Sequence, residues 1–557
     1  MSAVPSPRHG GWPWGAVGLA LVLGWLVGYP LLVTLAGALE GAGRPFVEFF
    51  RRPDELLALF RSLWISLASV ALAAGVGVPL AFLFERTEFP GRRLLATLVA
   101  LPVALPPLVG VVAFSFLYGE SGFAARALLA LTGGTSAPWS FQGPLAILLV
   151  HTYSFYVYFF LFVRAALKRR DPALGEAAAS LGAGPARTFL RVTLPGIRPA
   201  LVGASLLVFM ASLASFSAPY LFGGNFRVMT TQITTSKLNG DETAAKVETV
   251  VLALLALGAL WLFSRLGATK PGGTGVRGVA PRRVRGGARL LALGIASVVA
   301  LVAILPHATL LLLSLVPPGT WHAEALPPLL SFDNYQRMFT EPERLRPVVN
   351  SLWMAAASAL GAVLLGFAAA RSARELARSR GRFQRGLGRA LEHQVALPWA
   401  IPGTVFAVAL AIAMNVHRPE LLRFVLVGTP FLLPLAYLVR CLPLTGRAAI
   451  AGLAELDPAL EEAAASLGAG RFATLRRVVL PLVRPSLAAG AGLAFITGLG
   501  DFVTSVVLYT LDNRPIAMAI VSDLRLQELG LAATYGVLLA AVGTAAFLLA
   551  GDEAAGA

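Results

Sequence analysis

Asp171–Ala200 reads DPALGEAAASLGAGPARTFLRVTLPGIRPA, and Asp457–Ser486 reads DPALEEAAASLGAGRFATLRRVVLPLVRPS. The two segments align without a gap and are identical at most positions, so the chain carries two copies of one unit. Each copy opens on a natural helix N-cap, Asp171 or Asp457, followed by Pro172 or Pro458 where a first helical turn tolerates proline. A run of small residues comes next, Glu176 to Leu181 and Glu462 to Leu467, stopped by Gly182 and Gly184 and by Gly468 and Gly470. Glu176 and Glu462 bring negative charge to the positive end of the helix dipole. The alanines present a slim face that fits a groove on another protein. The glycines let the chain reverse, and Pro195 and Pro481 mark its return.

Further landmarks recur in the same order. Ser62-Leu63-Trp64 returns as Ser351-Leu352-Trp353, Ala100-Leu101-Pro102 as Ala396-Leu397-Pro398, Leu213 to Phe216 (LASF) as Leu499 to Phe502 (LGDF), and Arg227 as Arg514. Around them the chain is 57% hydrophobic and 13% charged, with a mean hydropathy of +0.73. Apolar runs of about 20 residues, the length needed to cross a bilayer, recur from end to end. The clearest are Gly10–Leu39, Ser62–Phe84, Leu94–Gly119, Ala200–Phe226, Leu290–Val316, Val348–Ala370, Val395–Val416 and Leu529–Gly551; Gly143–Val163, Thr249–Ser264, Leu421–Val439 and Ser486–Leu511 complete a set of about twelve. They are continuously apolar rather than alternating, which excludes barrel strands. The expected fold is an all-α polytopic membrane protein built as two tandem, parallel six-helix units. These are residues 1–264 and 290–557, joined over 265–289 by a Gly- and Arg-rich linker that also suits a lipid-headgroup patch.

The net charge of +17 does not call for nucleic acid. Arg and Lys concentrate in alternate inter-helix segments, and the positive-inside rule then places both termini, the linker and both repeated loops in the cytoplasm. The first apolar run exceeds a signal-peptide core and reads as a retained anchor. One cysteine, Cys441, excludes a disulfide framework, and six scattered histidines offer no metal cage. No GxxxxGK[ST] loop occurs, so the chain has no phosphate cradle of the usual kind.

The spacing E-A-A, three residues, G, nine residues, I/V-x-L-P stands here as Glu176, Ala177, Ala178, Gly182, Val192, Leu194, Pro195, and again as Glu462, Ala463, Ala464, Gly468, Val478, Leu480, Pro481. It resembles the signature of binding-protein-dependent ABC importer permeases. That resemblance implies a non-enzymatic subunit of a bacterial inner membrane whose two loops dock a dimer of separate ATPases. It also implies ATP and Mg on those partners, no cofactor on this chain, and a solute-binding protein outside, facing Phe222–Ala244 and Leu511–Glu528. The fused two-unit form looks most similar to ferric-iron permeases; thiamine and polyamine permeases are the alternatives. An ion-driven secondary transporter, the rival of another class, needs intramembrane carboxylates in both halves, where Asp501 stands almost alone. With Ser212, Ser215, Ser217, Thr504 and Ser505, Asp501 forms a candidate polar stripe along a pathway; the alternative is a helix-packing group or the outer end of a helix. His151, Tyr153, Tyr156 and Tyr158 read as an interfacial belt. Pro102, Pro106, Pro107, Pro398 and Pro402 are expected to kink the third and ninth helices.

Overall fold

The computed structural model describes residues 14–555 apart from 135, 170, 172, 268–281, 284, 321–325 and 418–422. Pro172 and most of the linker expected over 265–289 therefore lie outside the described residues. Among those described, ten helices are long and apolar enough to cross a membrane, and Arg382–Ala400 with Gly403–Ala413 forms a further span bent by 111°. Leu432–Glu455, a 24-residue helix carrying Arg440 and Arg447, holds in the second unit the place of Gly143–Lys168 in the first. The sole β pairing among the described residues is a two-residue parallel ladder, Thr87–Glu88 with Arg282–Arg283.

The all-α polytopic fold stands, but four of the expected spans are cut. Leu94–Gly119 is interrupted between Ala100 and Pro107 by a single 3₁₀ turn. Its counterpart breaks at Ile401, extended as a residue before proline must be, and at Pro402. Ala200–Phe226 stops at Leu213 and resumes at Ser217; Ser486–Leu511 stops at Leu499 and resumes at Val503. The run Leu421–Val439 was misplaced, because its helix begins only at Leu432. Arg423 instead donates to the carbonyls of Ile412 and Ala413 (2.7 and 3.1 Å) at the end of the ninth helix.

The expected outer loops are also more structured than their composition suggests. Each contains a buried helix, Met229–Leu238 or Ile516–Arg525. Ser62 accepts the first N–H of one (2.7 Å) and Ser351 that of the other (2.8 Å). This capping of an orphan helical donor is the physical reason the Ser-Leu-Trp landmark occurs twice.

The two units are interlocked. Trp14–Ala38 leaves its own unit to pack on the second, where Leu23, Leu26 and Val27 share a core with Met354, Ala359 and Leu391, and Gln394 donates to the carbonyl of Ala20 (3.1 Å). Reciprocally, Ala292, Ala296 and Ala300 of Gly287–Ser314 pack into the first unit beside Phe160 and Val163. Small residues at these positions let the helix backbones approach closely, which substitutes in lipid for a hydrophobic driving force between helices.

Candidate functional site

On one face of the bundle stand the twin helices Ala173–Ser180 and Pro458–Ser466, neither of which buries a single residue. Asp171 and Asp457 each accept the N–H two residues on at 2.9 Å, the capping their position anticipated. Both helices end in the same way. Ala183 N–H donates to Ala178 and Gly182 N–H to Ala179, both at 2.9 Å; Ala469 donates to Ala464 and Gly468 to Ala465, both at 3.0 Å. These are Schellman closures, and Gly182 and Gly468 supply the left-handed residue they require, at φ +76° and +80°. Leu181 and Leu467 are 88% and 89% exposed at the tips. Two apolar knobs held out by rigid, identical caps form a surface built to be covered. At the roots, Phe189–Thr193 and Leu475–Val479 are matching π-turns, a deformation that helices carry mostly at functional sites.

Far from these loops the four helix breaks converge on one layer. Phe216 and Phe502, equivalent in the register that matches Glu176 to Glu462, meet with ring centroids 5.5 Å apart, and Tyr220 lies 5.6 Å from Phe502. Both phenylalanines are almost fully buried. Pro106 presses on Gly500 so closely that a Cβ there would stand 3.1 Å from the proline Cβ. An apolar aromatic plug thus sits where the two units touch. A groove of about 570 Å³ runs along the loop-bearing half of Leu480–Leu499, lined in part by Arg476, Arg484 and Leu487.

Each break is clamped by the helix of its own unit that precedes the repeated loop. In the first unit, His151 is the hub: its Nδ1 lies 2.9 Å from Ser69 Oγ and 3.1 Å from Ser212 Oγ, its Nε2 2.9 Å from Ser215 Oγ. In the second, Tyr437 takes the equivalent place and bonds Ser505 at 2.6 Å. Arg440 adds an ion pair, its Nη1 2.9 Å from Asp501 Oδ2 and 3.2 Å from Thr504 Oγ1. Asp501 also accepts the N–H of Thr504 at 2.8 Å and caps the short helix beyond the break. Gly403 makes room for the guanidinium, since any Cβ there would stand 2.3 Å from Nη1. One arginine therefore spans the breaks of the ninth and eleventh spans.

The six candidate pathway residues fall into these two clamps. Ser212 and Ser215 bond His151; Asp501, Thr504 and Ser505 gather around Arg440 and Tyr437; Ser217 is buried at the start of the segment after the first break. They do not form one continuous stripe. The belt reading of His151, Tyr153 and Tyr156 is overturned, because His151 is buried in the first clamp while the two tyrosines donate to the carbonyls of Ala303 and Val99. Phe216, Phe502, Arg440 and Tyr437 escaped the sequence reading, although the repeated LASF and LGDF segments end on the two phenylalanines.

Arg440→Gln is expected to destabilise the fold by about 3–5 kcal/mol, since it strands the buried Asp501 carboxylate. Asp501→Asn is expected to cost less, because asparagine caps equally well and the abandoned arginine is partly exposed. The double variant then recovers much of the Arg440→Gln loss. Thermal unfolding of the purified chain checks this, and strictly additive shifts would show that the pair is not coupled.

The sequence profile of the family described as "Binding-protein-dependent transport system inner membrane component" matches residues 77–268 and again 362–551. "Probable ABC transporter permease protein y4fN" of Sinorhizobium fredii is 31% identical over 517 residues, covering 90% of this chain and 89% of its own. "Ferric transport system permease protein FbpB" of Actinobacillus pleuropneumoniae is 26% identical over 501 residues, 87% of this chain and 69% of that protein. "Fe(3+)-transport system permease protein FbpB 2" of Haemophilus influenzae is 25% identical over 526 residues, 94% of each chain.

Proposed function

The chain belongs to the binding-protein-dependent transport system inner membrane components, the permeases of ABC importers, and we propose that it carries ferric iron across the cytoplasmic membrane. ATP hydrolysis on two copies of a separate ATPase drives the passage, with Mg and nucleotide held there and none on this chain. Glu176, Ala177, Ala178 and Gly182, with Glu462, Ala463, Ala464 and Gly468, form the two coupling helices that seat in those ATPases. The observation that carries this reading is the pair of identically capped helices, neither of which buries a residue, tipped by the exposed Leu181 and Leu467.

With both loops cytoplasmic, as the positive-inside rule directs, the aromatic layer lies toward the outer side and the groove below it toward the cytoplasm. ATPase closure draws the two coupling helices together, the π-turns pass the motion to Leu194–Leu213 and Leu480–Leu499, and the breaks at their far ends separate Phe216 from Phe502. Broken helices are what a membrane path requires, since free backbone groups at that depth are tolerated only where they face protein or a polar cavity. Outside, a solute-binding protein delivers the cargo. Iron is favoured over thiamine or polyamine by the two long relatives that bear a ferric name.

Proteoliposomes holding the permease and its ATPase, supplied with the iron-loaded binding protein, are expected to take up radiolabelled iron only when ATP is enclosed with the ATPase. Uptake driven by an ion gradient alone would overturn the importer reading. Uptake of thiamine or spermidine in place of iron would leave the mechanism and replace the cargo.

A further inference from the structure

At the start of each unit's long helix the two units also align locally: Arg44–Arg51 and Asp333–Thr340 are equivalent short helices, and Pro53 and Pro342 open the long helices that follow. In this register Glu48 corresponds to Arg337, Arg52 to Glu341 and Glu55 to Arg344, a reversal of charge at all three, while Asp54 keeps its sign as Glu343. These residues lie at the end of the bundle opposite the coupling helices.

The second unit closes its charges on itself. Arg337 bonds Glu341 at 3.1 Å and Glu528 at 3.3 Å, while Arg344 bonds Glu528 at 3.1 Å and also Glu341. The Arg344 hydrogen bond, helped by Arg337, holds the Glu341 carboxyl below its ordinary range. Among the described residues of the first unit, no arginine stands at the positions equivalent to Arg337 and Arg344, which are Glu48 and Glu55. Asp241 is the counterpart of Glu528, and Glu242 beside it turns to Lys237 at 2.9 Å. Glu48, Glu55 and Asp241 are left around a cavity of about 110 Å³, with Arg52 at its rim 3.8 Å from Glu48.

The floor of this cavity is short of donors. Glu55 is 6% exposed; its Oε1 accepts from Gln232 at 3.2 Å and its Oε2 has no partner. Behind it Glu248, fully buried, accepts from Ser236 at 2.7 Å and likewise leaves Oε2 unpartnered. Two buried carboxyls that face each other are costly without a cation between them, and in the second unit Arg337 and Arg344 stand beside Glu528 and the buried Asp523, although Asp523 Oδ2 also lacks a hydrogen bond. The volume holds roughly three waters, enough for an ammonium or guanidinium end and its stem.

We propose that this acidic socket receives a lysine or arginine side chain of the solute-binding protein, completing in the first unit the charge network that the second unit completes alone. The assignment rests on the importer reading for the identity of the partner. Its chemistry rests on Glu48, Glu55 and Asp241. Docking is thereby polarised: one lobe of the partner plugs into the first unit, whereas in the second unit Arg337 and Arg344 already stand at the equivalent positions.

The test uses the permease–ATPase complex in zwitterionic nanodiscs, titrated with a fluorescent acetyl-trilysine amide and, separately, with the loaded binding protein of the same transporter. Both are expected to bind with an affinity that falls as salt rises, and Glu48→Gln with Asp241→Asn is expected to weaken both by roughly tenfold or more. Glu48→Arg alone, which copies the second unit, should do the same. Retention of the ATPase reports that each variant is folded, and the titration needs no transport, so a failed importer reading would leave it interpretable. Unchanged peptide affinity in the variants would overturn the socket. Weakened peptide binding with unchanged binding-protein affinity would overturn the docking role. Stoichiometric displacement of the peptide by micromolar calcium chloride would make the cavity a metal site instead.

Discussion

Phe216→Ala together with Phe502→Ala is expected to turn a sealed permease into a leak. Proteoliposomes of the double variant should dissipate an imposed potassium diffusion potential without ATP, while the parent chain holds it. The two rings are the contact through which the units meet at the break layer, and an apolar constriction bars ions by excluding water rather than by charge. Removing both rings takes away both aromatic partners of Tyr220, whose hydroxyl stays bonded to Arg525, and leaves a gap between the units. Phe→Ala in a core costs about 3–5 kcal/mol, so folding needs a control: Phe216→Leu with Phe502→Leu keeps most of the apolar volume and is expected to stay tight. A double alanine variant that folds and holds the potential would show that the seal lies elsewhere.

Gly182→Asp with Gly468→Asp acts at the opposite end. Both glycines stand at positive φ with open space around the missing Cβ, so the side chain meets no clash and the cost is conformational, roughly 1–2 kcal/mol per site for an L-residue in the left-handed region. That sum is small against a bundle of this size. The damage is instead at the contact, where a new carboxylate beside Leu181 or Leu467 faces the ATPase groove and the closure that aims the leucine is weakened. The chain is expected to insert and purify normally while ATPase recovery on co-purification falls by tenfold or more, each single variant losing less. Full recovery with the double variant would place docking elsewhere.

The coupling helices were legible in the sequence down to their caps because every determinant is local: an aspartate two residues from the N–H it accepts, and a glycine at the one position where φ must be positive. The breaks were less visible. Proline announced those near Pro106 and Pro402, but Ala200–Phe226 and Ser486–Leu511 are unbroken by hydropathy and contain no proline at Ala214–Phe216 or Gly500–Phe502. At the breaks side chains take up the freed backbone groups: Thr230 donates to the Ser215 carbonyl, Asp501 accepts the Thr504 N–H and Ser505 donates to the Asp501 carbonyl, while His151, Tyr437 and Arg440 hold these side chains in place. The apparent isolation of Asp501 had the same origin. Arg440 stands 61 positions away, in a helix whose start hydropathy misplaced, and Glu55 and Glu248 lay just outside the apolar runs.

From its order of residues alone this protein announces a duplicated membrane unit, about a dozen crossings, and two protruding caps on one face, since hydropathy, repetition and capping act over a few residues or one helical turn. Which phenylalanines meet between the units, which arginine clamps the breaks, and where charge is left uncompensated were decided only by folding. Those properties belong to pairs of side chains that lie far apart in the chain, and desolvation makes each pair strong or costly only once the helices have brought it together.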